Sequence, residues 1–258
     1  MNSRYFTLLA LLAALGGSVA CRVETAPTPT SAPTSTPAAT PTPTAMPQPQ
    51  IEEVSFTSED GVRLSGTLFG AGEMAVILAH QGAQDADQTS WQPFARLLAE
   101  EGFTALTFDF RGRGESDGVL EQKELVRDVR AALAFLRNRG CSRMVCMGAS
   151  MGGTSCLKLA LETDLEGLVV IASSMNLGPP TDVFPQDLAQ LTVPKLFVCA
   201  EDDRYSGIAH TVQEMYDLSP EPKQISLLPG VAHGTELFDT PQGDEFTRLL
   251  LDFLNGLR

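Results

Sequence analysis

Six short runs of apolar residues constrain the fold of this chain more than any other feature. Their residues do not alternate with polar ones, a pattern typical of strands that are buried on both faces of a parallel sheet. The runs are MAVILA (74–79), TALTFD (104–109), RMVCM (143–147), GLVVIA (167–172), PKLFVC (194–199) and QISLL (224–228).

Amphipathic helix patterns separate these runs. Apolar residues recur at helical spacing within 91–98, 125–136 and 246–254. Alternating strands and helices predict an α/β fold, with a mostly parallel central sheet and helices on both faces. Ahead of it, residues 52–69 alternate apolar and polar side chains around Asp60-Gly61, which predicts an N-terminal antiparallel hairpin.

The first 50 residues have a different character. Residues 1–20 have a short positive start, an apolar run and then small residues, which predicts a secretory signal peptide. Ser18-Val19-Ala20-Cys21 resembles the lipobox of bacterial lipoproteins, although it departs from it at Ser18. That resemblance implies lipidation of Cys21 and a membrane anchor outside the cytoplasm. Ordinary cleavage after Ala20, giving a secreted soluble protein, is the alternative.

Residues 21–50 are expected to form a disordered tether. The stretch 25–50 contains eight Pro and eight Thr, which leaves nothing to build a core and favours an extended chain. The remaining residues, 51–258, are enough for one domain with a sizeable core.

Charge and cysteine content exclude several functions. The formal net charge is −14 and no basic stripe occurs, which argues against a nucleic-acid partner. No Cys/His cluster indicates a metal site, and no cofactor is implied. Four cysteines, Cys141, Cys146, Cys156 and Cys199, lie in the domain, and we expect buried free thiols because they fall in apolar runs or on a helix.

Two Gly-x-Ser-x-Gly pentapeptides occur, at 148–152 and 114–118. A serine hydroxyl becomes a useful nucleophile when a sharp strand-to-helix turn exposes it beside a base. Ser150 follows an apolar strand directly and precedes a helix pattern, so it is the predicted nucleophile. Ser116 lies well past its strand and is predicted to be a loop residue or a helix cap.

The predicted base is His233, which follows the last apolar run. Of the other two histidines, His210 falls on a probable surface helix and His80 ends the first core strand. A carboxylate should hold the base in its correct tautomer. Asp203, just after the run 194–199, is the first choice for this acid, with Asp202 as the alternative.

The chain order nucleophile, acid, base is that of the α/β-hydrolase fold. Residues 51–258 resemble the α/β-hydrolases, in particular their small dienelactone-hydrolase-like and esterase-like members. Dienelactone hydrolases carry a cysteine nucleophile, so a serine here points toward esters or amides. The matching pieces are LAHQG (78–82), SWQPFARLLAEEGFTALTFDFRGRGES (90–116), GASMGG (148–153), CAEDD (199–203) and GVAHG (230–234).

The resemblance also implies an oxyanion hole. One donor should be the backbone N–H of Met151, and the second should come from the loop after the first core strand. The family usually has His-Gly there, whereas this chain has Gln81 at the glycine position, so the second donor is Gly82 or Gln81, with Gly82 preferred. His80 is expected to hold this loop in shape.

The segment 173–193 is too short for a cap domain, so we expect a minimal lid and a shallow, open pocket. Met151, Met175, Leu177 and Phe184 are candidates to line it. The resulting hypothesis is an extracytoplasmic serine hydrolase that cleaves small or exposed acyl esters. The alternatives are a serine peptidase or amidase with the same triad, and a surface lipoprotein that binds without turnover.

Overall fold

A computed structural model describes residues 50–258. The predicted signal peptide (1–20), Cys21 and the tether up to residue 49 lie outside the described residues. Within 50–258, no helix is long and apolar enough to cross a membrane.

One eight-stranded sheet forms the centre of the described domain, in the order β1-β2-β4-β3-β5-β6-β7-β8. β2 pairs antiparallel with both β1 and β4, and every other pairing is parallel. The predicted hairpin followed by a parallel sheet is therefore confirmed. The strands are β1 (Ile51–Thr57), β2 (Arg63–Phe69), β3 (Met74–Ala79), β4 (Thr104–Phe108), β5 (Arg143–Ala149), β6 (Gly167–Ile171), β7 (Lys195–Ala200) and β8 (Lys223–Leu228).

The uninterrupted apolar runs lie where helices cover both faces of the sheet. Every residue of β3, β4, β6 and β7 is buried. The run in β8 is different, since most of its residues are partly or fully exposed. It was expected to be buried on both faces, but β8 lies at the edge of the sheet, where one side has no neighbouring strand.

Within residues 50–258, six α-helices surround the sheet. Near α1 and α6, Phe238 packs against Phe94 and Phe246, with ring centroids 5.4 and 4.7 Å apart. On α2, Phe135 stacks on Phe56 of β1 at 5.1 Å. The helices are α1 (Gln92–Glu100), α2 (Leu125–Asn138), α3 (Met151–Ala160), α4 (Pro185–Leu188), α5 (Ile208–Leu218) and α6 (Gly243–Asn255).

The cysteines correct one prediction. Cys146 of β5 and Cys156 of α3 form a disulfide, with Cα atoms 5.5 Å apart, whereas Cys141 and Cys199 are free. Free thiols were expected at all four positions. The prediction was wrong for this pair because the sharp turn between β5 and α3 folds the helix back against its own strand.

The loops that carry the predicted site residues all lie at one edge of the sheet. β3, β5, β7 and β8 run parallel, so their carboxyl ends point the same way. The loops that follow them carry Gln81, Ser150, Asp203 and His233 respectively. The segment between β6 and β7 contains only the four-residue helix α4, in agreement with the expected minimal lid.

Candidate active site

Ser150 occupies a sharp turn between β5 and α3. Its φ and ψ are 50° and −117°, outside the regions that side-chain-bearing residues usually adopt. Such a conformation costs on the order of 1–3 kcal/mol and persists only when its surroundings enforce it. The strand therefore ends at Ala149, and the helix begins at Met151 with the serine raised between them.

Close packing explains the small residues around Ser150. A Cβ at Gly148 would collide with the backbone of Gly152, and one at Gly152 would collide with the carbonyl group of Ala79. A Cβ at Gly153 would meet the Ser173 hydroxyl. The backbone N–H of Ser150 donates to the Ile171 carbonyl at 2.7 Å, which ties the turn to β6.

His233 and Asp203 form a buried pair. His233 Nδ1 lies 2.8 Å from Asp203 Oδ2 and 3.1 Å from Oδ1. A carboxylate can only accept, so Nδ1 carries the proton and Nε2 is the basic nitrogen. The ring of Tyr205 packs edge-on against the imidazole, with centroids 4.5 Å apart.

Further donors hold the Asp203 carboxylate in place. Its side chain is 1% exposed, and Oδ1 accepts the Tyr205 backbone N–H at 2.9 Å. The Cys199 thiol lies 3.7 Å from Oδ2. Burial, with the nearby Asp203 charge, raises the pKa of Cys199 to about 12, so this thiol stays protonated and donates. Asp202 is exposed, so Asp203 is the carboxylate that meets the histidine.

Ser150 and His233 line the same cavity, of about 630 Å³. Within residues 50–258, no hydrogen bond joins the Ser150 hydroxyl to the imidazole. In ligand-free sites such bonds are often long and tighten when substrate binds. The geometry thus brings Asp203 and His233 into contact and places Ser150 at the wall of the cavity that His233 also lines.

The loop after β3 lies against the start of α3. A Cβ at Gly82 would stand 3.4 Å from Met151 Sδ, so the two proposed oxyanion residues are neighbours. His80 is fully buried, donates from Nδ1 to the Gln81 carbonyl at 2.7 Å and accepts the Phe110 N–H at Nε2 at 3.1 Å. Burial lowers the pKa of His80, which favours this neutral tautomer. Its position is the loop-holding one expected from sequence.

Gln81 makes a contact that the sequence did not predict. Its side-chain Oε1 accepts hydrogen bonds from Thr235 N at 3.0 Å and from Thr235 Oγ1 at 3.3 Å. Gln81 and Thr235 are both buried. The side chain thus joins the loop after β3 to the short 3-10 helix Gly234–Asp239 that follows His233.

The cavity wall matches the expected lining only in part. Met151 and Leu177 contribute to it, but Met175 and Phe184 do not. Met175 is buried in the core, whereas Phe184 is half-exposed. The lining residues that the sequence did not predict come from loops and from the start of α5, although the position of Tyr205, two residues after Asp203, is a local signal. They are Ala83, Asp85, Leu120, Gln122, Arg204, Tyr205, Ile208 and Glu236.

No group of three or more His, Cys, Asp or Glu side chains in residues 50–258 is arranged to hold a metal ion. His210 lies on α5 and is exposed, as expected for a surface helix.

Comparisons with known proteins agree with this architecture. A model of the family described as serine aminopeptidase, S33, matches residues 72–187, a stretch that includes Ser150 and ends before Asp203 and His233. The uncharacterized protein YfhR of Escherichia coli (strain K12) is 27% identical over 229 residues, which cover 79% of this chain and 80% of YfhR.

Two solved structures have a similar fold. The Pyrococcus furiosus esterase Pf2001 superimposes with a TM-score of 0.68 at 20% identity, covering 80% of this chain and 92% of that one. A dienelactone hydrolase from Anabaena variabilis gives a TM-score of 0.67 at 18% identity, covering 81% and 98%. Identities this low establish the fold only.

Proposed function

We propose that this chain, which has the fold of the α/β-hydrolases, is a serine hydrolase of carboxylic esters. One observation carries the proposal: His233, paired with the buried Asp203, lines the same cavity as Ser150 on its strained turn. A backbone conformation that costs free energy is typical of functional sites.

The chemistry follows from these three side chains. His233 Nε2 takes the Ser150 proton as the hydroxyl oxygen attacks the carbonyl carbon of the ester. Asp203 holds the ring and stabilises the imidazolium that forms. The imidazolium then returns the proton to the departing alcohol, which leaves an acyl-enzyme. Water repeats the sequence and releases the acid.

Backbone donors stabilise the oxyanion. The Met151 N–H belongs to the first turn of α3, where backbone N–H groups have no partner within the helix. The Gly82 N–H is the preferred second donor because that glycine lies beside Met151, with Gln81 as the alternative. Loss of one such donor typically costs about 2.7–4 kcal/mol of transition-state stabilisation.

The walls of the cavity favour small or partly exposed acyl substrates. No cap domain covers it within residues 50–258, since the segment between β6 and β7 contributes one short helix. Apolar contacts come from Leu120, Leu177 and Ile208, whereas Arg204 and Glu236 form an ion pair at the wall.

An amidase or peptidase with the same triad is the second candidate. The match of residues 72–187 to the serine aminopeptidase family is the observation that favours it. A binding protein without turnover is disfavoured, because it would have no use for the strained turn at Ser150.

We also propose that the protein is exported and anchored through a lipid at Cys21. The Cys146–Cys156 disulfide supports this location, because structural disulfides persist mainly in oxidising compartments. Incorporation of labelled palmitate into the wild-type protein, and its loss in Cys21→Ala, would test the anchor. An unlabelled wild-type protein would leave ordinary secretion as the alternative.

Stopped-flow hydrolysis of p-nitrophenyl acetate tests the catalytic proposal. An acyl-enzyme that forms faster than it is hydrolysed gives a burst of nitrophenol equivalent to the enzyme concentration. A parallel panel of p-nitrophenyl esters and aminoacyl anilides separates the two candidates. Turnover confined to the anilides would replace the esterase by the peptidase, and turnover of neither would contradict both.

A further inference from the structure

A second cavity lies beside the catalytic one. It measures about 650 Å³ and contains neither Ser150 nor His233 in its lining. Four residues line both cavities and therefore form the border between them: Gln81, Ala83, Asp85 and Glu236.

The Gln81 side chain is the fixed part of this border. It crosses from the loop after β3 to the 3-10 helix Gly234–Asp239, where Thr235 donates two hydrogen bonds to Oε1. Gln81 is 7% exposed, whereas Asp85 is exposed. Gly234, with φ 62°, lies directly beneath Oε1, and a Cβ there would collide with it. Two hydrogen bonds thus hold the amide at the border between the cavities.

The second cavity combines an apolar wall with acidic side chains. Pro93, Phe94, Leu97 and Phe238 supply much of its wall. Its charged lining residues are all carboxylates, namely Asp85, Glu236, Asp239 and Asp244. A neutral aliphatic or aromatic group is compatible with such walls, whereas an anionic group would be repelled.

We propose that Gln81 determines substrate size by closing the catalytic cavity to this neighbouring space. The inference rests on the proposed ester hydrolysis and deepens it. With the amide in place, the acyl group is confined to the catalytic cavity. Without it, an octanoyl chain extends from the reacting carbonyl past Ala83 into the second cavity, where its methylene groups are removed from water.

The test compares p-nitrophenyl octanoate with p-nitrophenyl acetate in three variants. Gln81→Ala removes the barrier, and the octanoate-to-acetate ratio of kcat/KM should rise about tenfold or more. Gln81→Glu keeps the length and the acceptor oxygen, so its ratio should stay at the wild-type value. In the double variant Gln81→Ala/Ala86→Phe, the new phenyl ring fills only the second cavity, so the gain should disappear.

The outcomes separate this inference from the function on which it rests. An unchanged ratio in Gln81→Ala would overturn it. An equal fall of kcat/KM for both esters would also overturn it, because it would show that Gln81 only stabilises the structure. A gain that survives Ala86→Phe would show that the chain does not enter the second cavity. If the wild-type protein hydrolyses neither ester, the proposed function itself is contradicted, and this inference with it.

Discussion

The two Gly-x-Ser-x-Gly pentapeptides share a pattern but differ in structure. Ser150 lies at the junction of β5 and α3, with φ at 50° and its side chain at the cavity wall. Ser116 lies in the loop between β4 and α2. Its hydroxyl donates to the Asp109 carbonyl at 2.6 Å and accepts the Ser65 N–H at 2.9 Å.

A hydroxyl that already bridges two backbone groups cannot serve as a nucleophile without breaking those bonds. Ser116 therefore stabilises its loop, as the sequence predicted, whereas the Ser150 hydroxyl is left available. The five letters carry little information by themselves. The two differ because a strand leads directly into the pentapeptide at 148–152 and a helix follows it directly.

Removing each serine hydroxyl in turn should give the largest difference in activity between the Ser150 and Ser116 regions. Ser150→Ala should lower kcat for ester hydrolysis by about 10⁶-fold, as expected for loss of a nucleophile. Ser116→Ala should retain wild-type kcat/KM once its folded fraction is taken into account. Steady-state kinetics with p-nitrophenyl acetate measure both, and equal losses in the two variants would erase the distinction.

Asp202 and Asp203, two neighbouring aspartates after β7, allow a controlled comparison of variants. Asp203→Asn should lower kcat by about 10⁴-fold, because the amide can donate to Nδ1 and favour the wrong imidazole tautomer. Asp202→Asn should have little effect, since that side chain is exposed. A larger loss in the Asp202 variant would mean that another carboxylate acts as the acid.

The disulfide should matter for the stability of the Ser150 region. It joins Cys146 and Cys156, which are ten positions apart in the sequence. The double variant Cys146→Ala/Cys156→Ala should lose roughly 2–3 kcal/mol of unfolding free energy, measured by urea denaturation. The free-thiol variant Cys141→Ala is the control, and an equally destabilised control would indicate that the disulfide contributes nothing.

Ser116→Ala should cost less than the disulfide. The substitution leaves the Ser65 N–H and the Asp109 carbonyl without their partner, which corresponds to about 1–2 kcal/mol for a partly buried site. Urea denaturation again gives the value, and Ser116→Thr, which keeps the hydroxyl, serves as the comparison. No measurable loss in the alanine variant would show that water replaces both bonds.

The smallest effect should appear in the pH dependence of stability. His80 accepts the Phe110 N–H, which links the loop after β3 to the start of the Ser116 loop. Burial lowers its pKa in the folded protein, so the unfolded chain binds the proton more readily.

This contribution is complete above the ordinary histidine pKa of about 6.5 and is lost as pH falls toward the folded value. One proton allows a slope of at most about 1.4 kcal/mol per pH unit. Unfolding free energies from pH 8 to 5 should show a shallower slope in His80→Gln than in the wild type. Identical slopes would mean that His80 does not titrate on unfolding.

Local patterns predicted most of the fold. The run 74–79 coincides with β3, and the other apolar runs match their strands to within two residues. Most side chains of a strand buried on both faces are apolar, so this information is present in each short window. β8 deviates because its edge position depends on the order of the strands, which no window contains.

Contacts between distant loops were beyond prediction. Gln81 and Thr235 are 154 positions apart, and nothing in either stretch indicates the other. The Cys146–Cys156 pair is local, yet it depends on the angle at which α3 leaves β5. The choice of Asp203 over Asp202 likewise depends on which of two neighbouring carboxylates the turn after β7 directs inward. A shift of one residue in that turn would exchange them.

Labelling with a fluorophosphonate probe, followed by mass spectrometry of the proteolytic peptides, tests the central claim most directly. The probe should modify Ser150 alone, and Ser150→Ala or His233→Ala should abolish labelling while Ser116→Ala retains it. A wild-type protein that stays unlabelled, or carries the label at Ser116, would contradict the assignment of Ser150 as the nucleophile.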